Sequence, residues 1–339
     1  MKNAHTTELT GRFWTPDAVR STKSRSGCFV AADGFGWVGS DMVLFNAVLR
    51  AGSTPCLQRS DNSRQCLRFM STNRIDQKFA QLRSESRAGF IAYICGGDPT
   101  LAATRELVWA LEGAGVDLIE IGVPFSDPLA DGVVNQLASA RALVAGASVN
   151  GLFKCIREIR EKSQIPIVLY TYMNPVYRHG FDSFLADAEA AGADGILFLD
   201  LPPDEDEASP ELRMHGPLKR IRLIAPTTPP SRIAYLTKDA GGFIYYVSRT
   251  GVTGERSDVA SDMAAQVAEI KKTTPLPVAV GFGVGSPEQV KAIAAVADAV
   301  IVGSAIVKRI AEFSADPDLV RKVADFVRPL ARATRTSII

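Results

Sequence analysis

Glu120 lies inside the apolar run Leu118-Ile-Glu-Ile121, where a carboxylate is costly unless it is paired or used. Side chains alternate along a strand, so Glu120 shares one face with Leu118 while Ile119 and Ile121 share the other. If that face points into the mouth of a barrel, low dielectric raises the carboxyl pKa toward neutrality, as a general acid/base requires. The alternative is a structural Glu tied to a neighbouring loop. Eleven residues on, Asp131 precedes Gly132 in the loop that also carries Ser126, Asp127 and Pro128. A carboxylate before glycine in a Pro-containing loop is either catalytic or an Asx-type turn, and its neighbours leave both open. Two glycine-rich segments, Gly281-Phe-Gly-Val-Gly-Ser-Pro287 and Gly303-Ser304, each follow an apolar run and precede a helix candidate. Glycine lets backbone N–H groups close on an anion, and a helix N-terminus adds free donors, so the pair points to a phosphate. Their other use is simply to make tight turns. There is no Gly-x-x-x-x-Gly-Lys-Ser/Thr stretch, which leaves a nucleotide-hydrolysing loop unsupported.

These residues need elements to hold them. Short apolar runs occupy 89–94, 116–121, 165–170, 195–199, 222–225, 242–247, 276–280 and 299–302, mostly β-branched, as in parallel strands buried on both faces. Between them lie helix candidates such as 101–114, 181–191, 257–272 and 286–297. Small-residue turns at 113–117, 191–195 and 240–243 run straight into strands, with glycine able to close each preceding helix. Eight such strands in about 250 residues predict an α/β fold, a (β/α)8 TIM barrel in one domain. The pattern alone also permits an open doubly wound sheet, because counting strands does not prove closure. A helix over 73–83 would cover the barrel bottom. Active sites of barrels sit at the C-terminal strand ends, and phosphate sites at the loops after strands seven and eight, which is where Glu120 and the glycines fall.

Bulk properties exclude several classes. Of 339 residues 46% are hydrophobic and 22% charged, and the net charge is only +1, so a basic nucleic-acid binder is not indicated. No apolar run is long enough to span a bilayer. Cys28, Cys56, Cys66, Cys95 and Cys155 show no metal or disulfide-scaffold spacing, and His5, His179 and His215 have no ligand-spaced partner. A metal-free protein in a reducing compartment, the cytoplasm, is expected. Residues 1–69 differ from the rest, with nine Lys/Arg against five Asp/Glu and no sustained period. They read as an unrelated extension, either a start set too early with Met70 the true first residue, a weakly ordered segment, or a targeting segment. The last is disfavoured by Glu8, Asp17, Asp33 and Asp41. The catalytic domain is therefore expected over 70–339.

The motifs together resemble the tryptophan synthase alpha subunit family. Its likeness rests on Ile121-Gly-Val-Pro-Phe-Ser-Asp-Pro-Leu-Ala-Asp-Gly132, Asp200-Leu-Pro-Pro203, Ala225-Pro-Thr227, Tyr246-Val-Ser-Arg-Thr-Gly-Val-Thr-Gly254, Gly281-Phe-Gly283 and Val302-Gly-Ser304. The first is highly specific, and the rest follow in order across roughly 73–330. The resemblance implies a lyase that converts indole-3-glycerol phosphate to indole and glyceraldehyde 3-phosphate. It makes Glu120 the acid/base and Asp131 the carboxylate that accepts the indole N–H. Tyr245 becomes a ring beside the substrate and Thr253 a lid residue; Gly254, Gly283, Gly303 and Ser304 become the phosphate cradle. Phe90, Leu169 and Ile224 are candidate walls of the indole pocket by strand position only. No cofactor is implied for this chain. Pyridoxal phosphate belongs to the beta subunit, the partner in an α2β2 assembly, which the loops with Asp127-Pro128 and Tyr172-Met-Asn-Pro175 would meet.

The sequence departs from the family after Gly132, where Val133-Val-Asn-Gln136 replaces the usual Pro, Thr or Val, Ile, Gln. That puts a polar Asn135 where an apolar residue is common. The acidic run 204–207 reads as a solvated loop. A phosphosugar barrel such as indole-3-glycerol phosphate synthase would need catalytic lysines at strand ends, and Lys154, Lys162, Lys271 and Lys272 fall in or near helices. A stand-alone indole-releasing lyase and a weakly catalytic activator of the beta subunit remain as alternatives.

Overall fold

Parallel strands covered on both faces must be apolar at nearly every position, and all the strands here but the fifth are. A computed structural model describes residues 73–248, 257–281 and 283–335; the expected extension 1–69 lies outside the described residues. The strands are β1 (Gly89–Cys95), β2 (Leu118–Gly122), β3 (Ile167–Thr171), β4 (Gly195–Phe198), β5 (Lys219–Ile224), β6 (Ile244–Val247), β7 (Val278–Gly281) and β8 (Ala299–Val302). Each pairs in parallel with the next and β8 returns to β1, which closes the barrel and removes the open-sheet alternative.

The helices in chain order are α1 (Arg74–Ser84), α2 (Leu101–Ala114), α3 (Val133–Val144), α4 (Val149–Arg160), α5 (Met173–His179) and α6 (Phe181–Ala191). They continue with α7 (Pro203–Ala208), α8 (Pro230–Thr237), α9 (Ser257–Thr273), α10 (Pro287–Ala294), α11 (Ser304–Glu312) and α12 (Leu319–Ala333).

Strand alternation divides the core in two. Phe90, Ile119, Leu169, Ile196, Ile244 and Val300 face outward onto the helices, in a cluster with Leu107, Phe153 and Ile306. Ile91, Leu118, Val168, Leu197, Ile221, Ala279 and Ile301 fill the interior. Helix α1 closes the bottom of that interior, as its period predicts. Ile75, Phe79 and Leu82 lie on one face of it and pack into the inner cluster. Each such burial stabilises by about 1.5–3 kcal/mol. Asn73 caps the helix by accepting from Ile75 N (2.9 Å) and donates to the carbonyls of Asp194 (2.8 Å) and Pro217 (3.0 Å), which ties the plug to the strands.

An aspartate repeats at the strand starts. Asp117, Asp194 and Asp298, just before β2, β4 and β8, accept from the backbone N–H of Phe90, Ile167 and Val278 at 2.8–2.9 Å. The first two also hold a half-buried arginine each: Asp117 pairs with Arg87 and Asp194 with Arg160. All of this polar chemistry lies at the N-terminal ends, where it serves stability.

Two of the three expected glycine turns close helices: Gly115 (φ 104°) ends α2 and Gly192 (φ 97°) ends α6. The third does not. Helix α8 stops at Thr237, and Gly242 (φ 75°) instead turns the chain beside Ile221 and Ile75. Strand β5 starts three residues earlier than the apolar run, because Arg220 and Arg222 sit on its outward face. They are buried there against Asp239 and the carbonyls of Leu212 and Leu201. The acidic run 204–207 is helical rather than loop, within α7, and Asp204 pairs with Arg232 at 2.6 Å.

Candidate active site

Strand β2 delivers Glu120 to the barrel interior, in register with Tyr93 of β1 and Val168 of β3. The side chain is fully buried, and neither carboxyl oxygen has a hydrogen-bond partner among the described residues. Loss of water is the whole cause of its raised pKa, which is pushed up to about 8. A carboxyl group in this state carries its proton at neutral pH and has nowhere in the described protein to pass it.

Asp131 has the opposite surroundings. Its Oδ2 accepts from the Tyr172 hydroxyl at 2.8 Å, and its Oδ1 from the Tyr170 hydroxyl and Asn135 Nδ2, both at 3.2 Å. Three donors converge on its two oxygens, so the Asp131 side chain is fixed in place where that of Glu120 is left unpartnered. The surrounding loop is fixed from two sides. Tyr172 also accepts from Ala130 N (3.0 Å), while from α3 Gln136 donates to the Asp131 carbonyl (2.8 Å). Ser139 both accepts from Phe125 N (2.7 Å) and donates to Phe125 O (2.8 Å). The Asx-turn alternative fails for a simple reason: the Asp131 side chain is held by residues of β3, α3 and the segment after β3, not by its own turn.

Tyrosines join the two carboxylates. Tyr93, Tyr170 and Tyr245 are interior-facing residues of β1, β3 and β6, and burial raises the pKa of each, with Glu120 and Asp131 adding to the shift. Tyr93 and Tyr170 meet edge to face at 5.0 Å. Glycines make room for them: a Cβ at Gly281 would come within 2.9 Å of the Tyr245 hydroxyl, and one at Gly122 would collide with that of Tyr93. Sequence reasoning found Tyr245 but missed Tyr93, Tyr170 and Tyr172. The signal was available, since Tyr93 and Tyr170 share the strand parity of the other interior residues.

That parity also corrects the expected pocket walls. Phe90, Leu169 and Ile224 belong to the outward cluster against the helices, because each is one residue out of phase with the interior. The interior-facing residues toward the C-terminal strand ends are Tyr93, Tyr170, Leu199, Leu223 and Tyr245.

At the other side of the mouth, Gly303 lies against Tyr93, 3.4 Å from that side chain for a Cβ built on it, and Ser304 opens α11. Among the described residues no side chain caps α11, whereas α10 is closed by a reciprocal box between Ser286 and Gln289. Of the two helix N-termini near the glycines, α11 is therefore the one whose N–H groups stay open to an anion. Gly283 adopts φ 67° in the loop after β7. Thr253 and Gly254 lie outside the described residues. Among the described strands Lys219 is the single lysine, and it sits at the bottom start of β5, paired with Asp76.

A family model described as tryptophan synthase alpha chain matches residues 79–335. The tryptophan synthase alpha chain of Opitutus terrae is 48% identical over 265 residues, covering 78% of this chain and 99% of the relative. That of Geobacter sulfurreducens is 47% identical over 262 residues, covering 77% and 98%. Among solved structures, tryptophan synthase subunit alpha of Legionella pneumophila aligns with a TM-score of 0.71 and 34% identity, over 78% of this chain and 99% of that one. A chain of Mycobacterium tuberculosis tryptophan synthase aligns at 0.68 and 36%, again over 78% and 99%.

Proposed function

The chain belongs to the tryptophan synthase alpha chain family, and from that membership we propose how its residues perform the family's reaction. The reaction is cleavage of indole-3-glycerol phosphate to indole and glyceraldehyde 3-phosphate, the alpha half-reaction of tryptophan biosynthesis, and the chain is a lyase. One observation carries the mechanism: Glu120, buried with no partner among the described residues, lies at the same barrel mouth as a carboxylate, Asp131, that three donors hold in place.

Glu120 first gives its proton to indole C3, which breaks the ring's aromaticity and places positive charge toward the ring nitrogen. Asp131 accepts the ring N–H and stabilises that charge. The Glu120 carboxylate then takes the proton of the hydroxyl on the carbon attached to C3 as the C–C bond breaks. Its electrons return to the ring, and glyceraldehyde 3-phosphate leaves with a new carbonyl. Glu120 ends protonated, as it began. A group with a pKa near the working pH suits both halves of this exchange.

Tyr93, Tyr170, Leu223 and Tyr245 form the ring pocket in this reading, supported by their interior position. Backbone N–H groups at Gly303 and Ser304 receive the phosphate at the open start of α11, joined by Gly283 of the loop after β7; the family resemblance adds Gly254 to the cradle and Thr253 to the lid. The loop between β2 and α3 covers the site and excludes water. The chain itself uses no cofactor; pyridoxal phosphate belongs to a beta subunit, with which the chain assembles as α2β2 in the cytoplasm.

An exposed apolar strip supports such a partner. Val133, Leu137 and Val144 follow one another along α3, with Leu129 before it and Tyr177 on α5, and Val144 is 90% exposed. This strip adjoins the Asp131 loop, so a bound partner would press on the elements that hold the carboxylate.

The test is indole release from indole-3-glycerol phosphate by the purified chain, with and without beta subunit, beside Glu120→Gln and Asp131→Asn. Strong stimulation by beta and loss of about 100-fold or more in both variants is expected. Undiminished activity of Glu120→Gln would sink the mechanism. Full activity without beta would identify a stand-alone lyase, and a negligible rate with beta an activator.

A further inference from the structure

Asn135 stands where the family commonly has an apolar residue, and its surroundings give it work to do. Its Nδ2 donates to Asp131 Oδ1 at 3.2 Å. A carboxylate oxygen can only accept, so the amide nitrogen must face Asp131 and the amide orientation is set by chemistry. The carbonyl oxygen, Oδ1, then points elsewhere; it is buried and has no partner among the described residues. A buried carbonyl without a partner costs about 1–3 kcal/mol, which a bound donor would recover.

Position says which donor. Asn135, Ala138 and Ala142 recur at helical spacing on one side of α3, and the two alanines pack with Tyr93 and with Val307 of α11. This side of α3 thus runs between Asp131 and the helix whose start takes the phosphate. A substrate with its ring at Asp131 and its phosphate at Ser304 must pass its three-carbon chain through that interval. Asp131 Oδ1 already has two donors, Tyr170 and Asn135, whereas Oδ2 has one, so Oδ2 keeps capacity for the ring N–H. The donors left over on the substrate are the hydroxyls of the chain.

We propose that Asn135 is a positioning and specificity residue: its amide N–H turns the Asp131 carboxylate, and its carbonyl accepts a hydroxyl of the glycerol chain. This rests on the reading of the site as an indole-3-glycerol phosphate lyase. The hydrophobic residue common at this place in the family can do neither.

The test compares Asn135→Leu with the unaltered chain, both assembled with beta subunit, using two ligands. One is indole-3-glycerol phosphate, read as kcat and KM. The other is indolylpropyl phosphate, which keeps ring and phosphate but has no hydroxyls, read as an inhibition constant. Loss of the hydroxyl bond raises KM by about three- to tenfold, with a smaller loss for the inhibitor that disappears when Asp131→Asn is already present. Equal losses for both ligands, persisting in the Asp131→Asn background, would reduce Asn135 to packing and overturn the proposal. So would unchanged constants. Circular dichroism and urea midpoints verify that Asn135→Leu is folded. Indole release by the unaltered chain in the same assay tests the underlying lyase reading separately, because it does not depend on Asn135.

Discussion

Glu120 and Asp131 are both carboxylates of the barrel mouth, and their environments differ: one is buried without a described partner, the other held by three donors. Burial alone lifts Glu120 to about 8, and the sign of the consequence for stability follows. Between an unfolded value of about 4.5 and the folded value of about 8, the native chain holds a proton that the unfolded chain has released. Stability therefore falls as pH rises through this window, by up to about 1.4 kcal/mol per unit for this one group. Glu120→Gln removes the titration. Urea midpoints at pH 5, 6.5 and 8 should show the variant gaining on the parent as pH increases, and parallel pH dependences would contradict the assignment. In the proposed mechanism the free enzyme starts with the proton on Glu120, so kcat/KM should fall as pH rises through about 8. Asp131 was ambiguous from its neighbours in sequence for a physical reason. Its donors Tyr170 and Tyr172 lie 39 and 41 residues away, and nothing local announces them.

Helix α3 is the element that converts this chemistry into geometry. Asn135, Gln136 and Ser139 hold the loop from its first two turns, and further along Arg141 anchors the whole helix to the loop after β1. There Asp98, buried at 1% exposure, accepts two bonds from the guanidinium at 2.9 and 2.7 Å. Arg141→Met leaves a buried carboxylate without its cation. A cost of about 2–4 kcal/mol is expected, below the range for a fully buried pair because Arg141 is partly exposed. Since α3 also holds Asp131, kcat should fall several-fold in the same variant. Chemical denaturation and a rate measured well below the transition would separate the two effects. A stability loss with an unaltered rate would show that α3 does not depend on this anchor for its alignment.

At the scale of the whole molecule the barrel separates stability from chemistry along its axis. The bottom holds Asp194 between Arg74 and Arg160, both at 2.9 Å, with a third bond from Ile167 N. Asp194→Ala should cost about 3 kcal/mol, because it strips the largely covered Arg160 of its counter-charge, yet leave kcat and KM at 25 °C nearly unchanged. A large change in KM without a change in urea midpoint would break this division. Tyr177 of α5, 58% exposed, touches none of the described site residues in any hydrogen bond or ring pair. Tyr177→Asp should therefore reduce stimulation by beta subunit by about tenfold or more at limiting partner concentration, while basal indole release stays as it was. Titration of the activity with beta subunit measures it; an unshifted titration would place the interface elsewhere.

The order of strands, the helices over 101–114 and 181–191, the plug helix and the position of Glu120 were legible in the chain because each depends on local period. A buried parallel strand must be apolar, a helix must repeat near every fourth residue, and a carboxylate in such a strand stands out. Closure of β8 on β1, the outward turn of Phe90, Leu169 and Ile224, and the cradle of Tyr170, Tyr172 and Asn135 around Asp131 were decided by tertiary structure. Strands covered on both faces look alike from either side, so composition cannot say which residues point inward. Hydrogen bonds between residues dozens apart leave no periodic trace. The raised pKa of Glu120 belongs to both levels: sequence placed an acid among apolar residues, and only the closed barrel removed the water that would have kept it charged.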